Sequence, residues 1–412
     1  MRILHTSDWH LGQKFLHKDR TDEHRMALNY LLEVIEVEKV DMVIVAGDVF
    51  DTTNPPNSAR KLYYHFISHL IKTSCSYLII TAGNHDSPAM IEAPSSLLES
   101  LNVHVIGSVP ESVEDQIIEC KNKEGKLEAV VAAVPFLRDR DFKVAETGES
   151  GLERIERIRK GIVHHYERLS EAIKPYSRKR VPRITTGHLY VTGADAHDKQ
   201  NNIYIGDVEN IKASQFPKSF NYVALGHIHR AQPLGSQKHI RYSGSIIPLS
   251  FSETKDEKGF YLLDFENGKL EEVDFKAIPT FRRLKTIIGD LDEVKEKLTA
   301  FNEKRTNETI NESLTPWIEV IVETDQVIPR LDLELRTFTK DMNLELLKIR
   351  DNHTYSTLAS QLNMLDLDTL DTDEVFEKKC EAYGKEALDQ VEMKQTFIAL
   401  KEWILEQEKE EA

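Results

Sequence analysis

Five short apolar runs in this chain each end in residues able to hold a metal ion, so a fold built from it must bring five strand ends together. The runs are Ile3 to Leu4, Met42 to Ala46, Leu78 to Ala82, Ile184 to Thr186 and Val223 to Leu225, short and mostly aliphatic or β-branched, as buried strands are. They lead into Asp8-Trp9-His10, Gly47-Asp48, Gly83-Asn84-His85, Gly187-His188 and Gly226-His227-Ile228-His229. A glycine ahead of a ligand lets backbone and side chain swing close to an ion with no Cβ in the way. One such turn carries little weight, because Asp or His at a strand end ordinarily caps a turn or bonds a backbone amide. Five in order, with oxygen donors at Asp8, Asp48 and Asn84 and imidazoles at His10, His188, His227 and His229, describe a metal site divided among strand ends.

Between these runs the periodicity changes. Residues 21–40 place Leu28, Leu31, Leu32 and Ile35 on one helical face, and Arg60 to Lys72 predicts a second helix. Alternating strand and helix is the order of an α/β fold, in which ligands gather at the carboxyl ends of strands. Residues 138–183 differ, with a helical pattern from Leu152 to Ala172, then Arg178-Lys179-Arg180, and 13 basic against 8 acidic side chains. This stretch reads either as a solvated helix face and loop or as a phosphate-contacting surface, with His164-His165 placed to touch DNA rather than metal.

From Arg282 onward the pattern is strand (Leu284 to Ile288), helix (Glu293 to Phe301), strand (Trp317 to Val322), helix (Leu331 to Phe338) and strand (Leu344 to Ile349), a small separate α/β unit. Asn302 to Ser313 reads as a polar loop inside it, and Asp351 to Ser356 as the way out. Near the end, Phe376, Cys380 and Tyr383 share one side of a helix capped at Asp371 or Thr372. Met393, Phe397, Leu400 and Ile404 stripe the next helix. This helical hairpin serves either a core of its own or a partner's groove.

A chain of 412 residues suggests two or three domains. The net charge of −16 excludes coating nucleic acid by bulk electrostatics but leaves room for a local basic stripe. Cys75, Cys120 and Cys380 are scattered and odd in number, which suits a reduced compartment better than a disulfide framework. With no apolar signal core ahead of Arg2-Ile3-Leu4 and no run of about 18 apolar residues, the expectation is a soluble, unexported protein with no membrane contact.

Together the turns supply what a two-metal centre needs: a carboxylate able to bridge, Asp48, and two partly separate sets of imidazole, carboxylate or amide ligands. The mixed nitrogen and oxygen set suits Mn²⁺, Fe²⁺ or Zn²⁺ better than Mg²⁺ or Ca²⁺. Two such ions about 3.5–4 Å apart acidify a shared water and clamp a phosphoryl group for in-line attack, so phosphoester hydrolysis is the natural use. The departing alkoxide calls for an acid that is not a ligand, and His85, next to Asn84, is the candidate. Asp51, three residues past Asp48, is expected to orient that imidazole and favour its charged form, or else to cap the turn before Asn54-Pro55-Pro56.

These residues resemble the calcineurin-like metallophosphoesterases, whose D-x-H, G-D, G-N-H-D/E, G-H and G-H-x-H blocks are all intact here. His5-Thr6-Ser7-Asp8-Trp9-His10-Leu11-Gly12, Ala46-Gly47-Asp48-Val49-Phe50-Asp51, Gly226-His227-Ile228-His229-Arg230-Ala231-Gln232 and Tyr242-Ser243-Gly244-Ser245-Ile246-Ile247-Pro248-Leu249-Ser250-Phe251 are similar to the SbcD family of bacterial exonuclease subunits within that group. The resemblance implies an α/β fold, a four-layer α/β/β/α metallophosphoesterase sandwich with a small α/β capping domain and C-terminal helices. Residues 1–278 would be the nuclease domain, 279–352 a DNA-binding cap, 353–370 a linker, and 371–412 the helices that dock on the coiled coil of SbcC, an SMC-like ATPase.

It further implies that Asp8, His10, Asp48 and His229 hold one metal and Asp48, Asn84, His188 and His227 the other, with His85 acting on the leaving group and position 51 supporting His85. The implied activity is ATP-dependent 3′ to 5′ exonuclease action on double-stranded DNA ends and endonuclease opening of hairpins, with two divalent ions, Mn²⁺ preferred. ATP would be hydrolysed by SbcC, in agreement with the missing Walker loop. The assembly would be a homodimer of this chain within a heterotetramer, cytoplasmic at the nucleoid, serving DNA repair, recombination and replication. Two rivals share the turns. A small-molecule phosphodiesterase or phosphatase needs a closed pocket of modest size and has no use for the residues beyond 278. A non-catalytic DNA-binding scaffold subunit is expected to have lost ligands, and none of the seven is missing.

Overall fold

The computed structural model describes residues 1–142, 150–195, 211–307, 313–324, 328–353 and Phe397. One six-stranded sheet runs in the order Lys269–Ala277, Gly259–Glu266, Arg2–Thr6, Met42–Ala46, Tyr77–Thr81, Val103–Ile106. A second runs Gln232–Leu234, Gln237–Tyr242, Tyr222–Gly226, Arg183–His188, Leu127–Ala132, Ile117–Lys121. Four strands of each sheet are parallel, in registers such as Ile3 with Met42 and Met42 with Tyr77 in the first, and Ile184 with Tyr222 and Val223 with Ile240 in the second. Antiparallel strands close one edge of the first sheet and both edges of the second, while the parallel strand Val103–Ile106 forms the first sheet's other edge.

Side chains alternate across a strand, so a strand apolar at every position needs cover on both faces. Leu4, Val43, Val45, Leu78 and Ile80 face a core shared with Leu28, Leu31 and Ile35 of helix Thr21–Val37 and Leu62, Phe66 and Leu70 of helix Asn57–Leu70. Ile3, Met42, Ile44 and Ile79 face the other way, onto Val131, Ile184, Tyr222 and Ala224 of the second sheet. Val130, Ala132, Val223 and Leu225 cover that sheet's outer face together with Ile158, Ile162, Tyr166 and Leu169 of helix Gly151–Ala172. Three cores between four layers make the α/β/β/α sandwich. Full burial of each such side chain contributes about 1.5–3 kcal/mol, so the sandwich holds its strand ends rigidly.

Helix Asn57–Leu70 starts three residues ahead of the sequence pattern, because Pro56 holds the chain extended up to Asn57, where the helix begins. The basic stretch folds as a core-facing helix, opened by a Ser150–Glu153 capping box. Arg154 and Arg157 both pair with Asp139, and His165 is buried, which lowers its pKa to about 4. His164 stays exposed beside Glu167.

Strands Leu284–Gly289, Trp317–Thr324 and Glu345–His353 form a three-stranded sheet, with helices Leu291–Asn307 and Leu331–Phe338 between them in the chain. Two expectations shift here. Asn302–Asn307 continue the helix instead of opening the loop, since Glu303, Lys304 and Arg305 are good helix formers. Asp351–His353 stay in the last strand. Residues 308–312 and 354–412, with the expected linker and helical hairpin, lie outside the described residues apart from Phe397, which is helical.

Two compact units can be separated, one of Met1–Ile287, Lys295–Val320 and Asp332–Ile349, the other of Ile288–Val294, Ile321–Leu331 and Arg350–Ala412. The first contains both large sheets and all the candidate ligands; the second contains the carboxyl ends of the smaller sheet's strands. Among the described residues, no helix is long and apolar enough to cross a membrane, and Cys75 and Cys120 are free thiols.

Candidate metal centre

Parallel strands carry their carboxyl ends on one side, so the turns after Arg2–Thr6, Met42–Ala46 and Tyr77–Thr81 meet those after Arg183–His188 and Tyr222–Gly226. Backbone bonds lace the turns. Asp8 N–H donates to the Gly47 carbonyl at 3.0 Å, and His10 N–H to the Asp48 carbonyl at 3.0 Å. Carboxylates tie them further, with Asp48 Oδ1 accepting from His85 N–H at 2.9 Å and Asp8 Oδ1 from His227 N–H at 2.9 Å. Asp8, His10, Asp48 and His227 all have positive φ, at 52°, 46°, 48° and 99°. Non-glycine residues held there store about 1–3 kcal/mol each, and such strain gathers where function over-determines the backbone. Glycine is required beside them: a Cβ on Gly83 would lie 2.1 Å from Asp48 Oδ1, and one on Gly47 2.1 Å from His188 Nδ1.

Asp48 occupies the middle. Its Oδ2 is 3.5 Å from His10 Nε2 and 3.2 Å from His188 Nε2. Asn84 Oδ1 lies 3.0 Å from His188 Nε2 and 3.2 Å from His227 Nδ1. Asp8, His10 and His229 bring one ligand atom each within 4.8 Å of one another, and so do Asp8, Asp48 and His188, and His10, Asp51 and His85. Two overlapping donor sets therefore meet at one carboxylate.

Asp8 and Asp48 are buried at 0 % and 2 % exposure. Burial alone would raise the Asp48 pKa, but His188, then His10 and His85, hold it well below the usual carboxylate range. Burial disfavours charge on His10, yet the Asp51 hydrogen bond and the charges of Asp48, Asp51 and Asp8 raise it to about 9. His188 is likewise raised to about 9, by Asp48 and then Asp8, against its burial. The cluster draws positive charge, and a divalent ion would compete with protons for these nitrogens. The donors fit such an ion: His10 Nε2 is buried with no hydrogen-bond partner, faces Asp48, and belongs to a nitrogen and oxygen set of the kind borderline metals take.

The tautomers are set from behind. His188 Nδ1 lies 2.9 Å from the Ala46 carbonyl, which only accepts, so Nδ1 carries the proton and Nε2 faces inward. His10 Nδ1 meets Asp51 Oδ1 at 3.1 Å and His229 Nδ1 meets Glu253 Oε1 at 3.1 Å, with the same consequence.

Asp51 requires a correction. Its carboxylate was expected to orient His85, but it lies on His10, and it is the Asp51 carbonyl that accepts from His85 Nδ1 at 2.9 Å. The cause is the bridge between Leu11 and Phe50, with Asp51 N–H on the Leu11 carbonyl at 3.2 Å, which lays Asp51 against the first turn.

Two further carboxylates escaped the reading of the turns. Asp86, fully buried, accepts from Gly83 N–H at 2.9 Å, Val49 N–H at 3.1 Å and Phe50 N–H at 2.9 Å, tying the second turn to the third. Burial and the Asp48 charge push its pKa up to about 6. Its place in the G-N-H-D/E block was the available signal. Glu253 had none, standing 24 residues beyond the histidine it touches.

Residues 1–231 match the model of the calcineurin-like phosphoesterase family, and residues 280–383 that of the Type 5 capsule protein repressor C-terminal domain. The chain is similar to the SbcD subunit of nuclease SbcCD from Escherichia coli strain K12, 37% identical over 382 residues and 92% of each chain. It is similar also to the corresponding SbcCD nuclease subunits from Rhodobacter capsulatus, 35% identical over 277 residues, and Bacillus subtilis strain 168, 34% identical over 275 residues. Each of those two matches covers 65% of this chain and 67% of the relative.

Proposed function

We propose, for a chain that belongs to the calcineurin-like phosphoesterase family and within it to the SbcD nuclease subunits, that it hydrolyses DNA phosphodiesters at a centre of two divalent ions, Mn²⁺ foremost. The observation that carries this reading is Asp48, buried between two donor sets with His85 alongside. Asp8, His10, Asp48 and His229 would hold one ion and Asp48, Asn84, His188 and His227 the other. When bound, such a pair supplies Lewis acidity toward a phosphoryl oxygen and an acidified water.

The chain's own groups do the rest. His85 donates through Nδ1 to the Asp51 carbonyl, so Nε2 is the nitrogen left to pass a proton to the departing alkoxide. Asp51 and Glu253 keep the His10 and His229 protons on Nδ1, and Asp86 holds the turns on either side of Asp48 in register.

The wider assignment follows from the relatives, whose names make them subunits of a nuclease with a second component. In this reading the SMC-like ATPase SbcC docks on residues 371–412 and drives ATP-dependent 3′ to 5′ digestion of double-stranded ends and hairpin opening. Residues 279–352 cap the nuclease domain 1–278 and contact DNA, residues 353–370 link to the docking helices, and two copies of the chain join in a heterotetramer acting in repair at the nucleoid. Incubating the protein with blunt duplex DNA and, separately, with p-nitrophenyl phosphate, each with Mn²⁺, tests it. DNA cleavage abolished by chelation is expected. Turnover of the phosphomonoester alone would make it a small-molecule phosphatase, and no turnover of either a scaffold.

A further inference from the structure

Behind one candidate ligand stands a buried ion pair that none of the five turns contains. Glu253, 6 % exposed, closes the short helical turn Phe251–Glu253, and Lys258, 7 % exposed, follows five residues later. Glu253 Oε1 lies 3.1 Å from His229 Nδ1, while Oε2 accepts from Lys258 Nζ at 2.6 Å and from Leu249 N–H at 3.0 Å. Lys258 Nζ donates in addition to the carbonyl oxygen of His229 at 2.7 Å. The ring and the backbone of one histidine are thus gripped by the two halves of one ion pair.

A pair that only anchored a loop would have no reason to reach the imidazole. A carboxylate accepts and does not donate, so contact with Nδ1 places the His229 proton there and leaves the lone pair on Nε2. With the carbonyl held by Lys258 and Nδ1 by Glu253, turning the ring away costs the hydrogen bond at Nδ1. Burying a carboxylate alone is expensive, and Lys258 offsets that cost while adding no net negative charge beside Asp8 and Asp48. Metal-bound histidines are generally oriented by such a partner.

We propose that Glu253 and Lys258 are positioning residues of the metal centre, fixing the His229 tautomer and ring so that Nε2 is presented to the ion shared with Asp8 and His10; this rests on the two-metal reading above. The test is calorimetric titration of the full chain with Mn²⁺ alone, for wild type, Glu253→Gln and Lys258→Met, with circular dichroism as the folding control. Wild type should take up two ions. Each variant should weaken one of the two steps by about 10- to 100-fold and leave the other within twofold. The lost activity should return at raised Mn²⁺, with the metal concentration for half activity moved and kcat nearly restored.

Glu253→Gln keeps size and an acceptor, so it decides the matter if Lys258→Met does not fold. Two steps at wild-type affinity in Glu253→Gln overturn the proposal, and so does an equal weakening of both, which would make the pair a plain structural brace. Wild type binding no Mn²⁺ would instead overturn the two-metal reading itself.

Discussion

Asp86→Asn separates a clamp from a charge. In the wild type, Oδ1 accepts from Phe50 N–H and Oδ2 from both Val49 N–H and Gly83 N–H. Asparagine keeps one carbonyl oxygen. Turned toward Val49 and Gly83 it saves two bonds, and its NH₂ then confronts the Phe50 N–H. Losing one bond to a charged acceptor costs about 1.5–3 kcal/mol, all of it at Phe50.

The charge works the other way. Burial and then Asp48 outweigh the three amide bonds and push the carboxyl from its ordinary 3.8 up to about 6, a net of about 3 kcal/mol against the charged form. At pH 8 the side chain is charged, and the neutral variant escapes that net penalty, so the urea midpoint should stay at or above wild type. The local loss at Phe50 remains. Amide exchange at Phe50 should quicken by about 10- to 150-fold, with Val49 and Gly83 little changed, since each 1.4 kcal/mol is a factor of ten. Exchange resolved to single amides at pH 8 is the assay. Unchanged protection at Phe50, or equal acceleration at all three amides, would refute the view of Asp86 as a three-point clamp between the metal turns.

Asp48→Asn should weaken binding of both ions and abolish DNA cleavage, because an amide cannot bridge two cations as a carboxylate does; two ions per chain at wild-type affinity by metal analysis would end the bridging assignment. His85→Gln should leave Mn²⁺ and DNA binding near normal and slow cleavage by about 10²- to 10⁴-fold. Full activity would remove His85 from the chemistry, and loss of metal would make it a ligand. Deleting residues 367–412 should leave a folded, metal-loaded nuclease that no longer binds SbcC or responds to ATP. Co-purification with SbcC, undiminished by that deletion, would place the interface elsewhere.

The order of the described strands and helices and the five turns that meet at one side of the sheets were legible in the sequence because each is local: an apolar run, a glycine and a candidate ligand stand within a few residues of one another. Even where boundaries moved, as at Asn57, the neighbouring prolines supply the reason. What the sequence did not contain was which side chain meets which. Asp51 stands three residues from Asp48 but 34 from His85 and 41 from His10; only the bridge between Leu11 and Phe50 gives its carboxylate to His10 and its carbonyl to His85. Tertiary packing likewise brings Glu253 to His229 and buries His165. Hydrogen-bond partners and the inward-facing ring nitrogens are chosen by distances across the sandwich, and these exist only once both sheets have closed on each other.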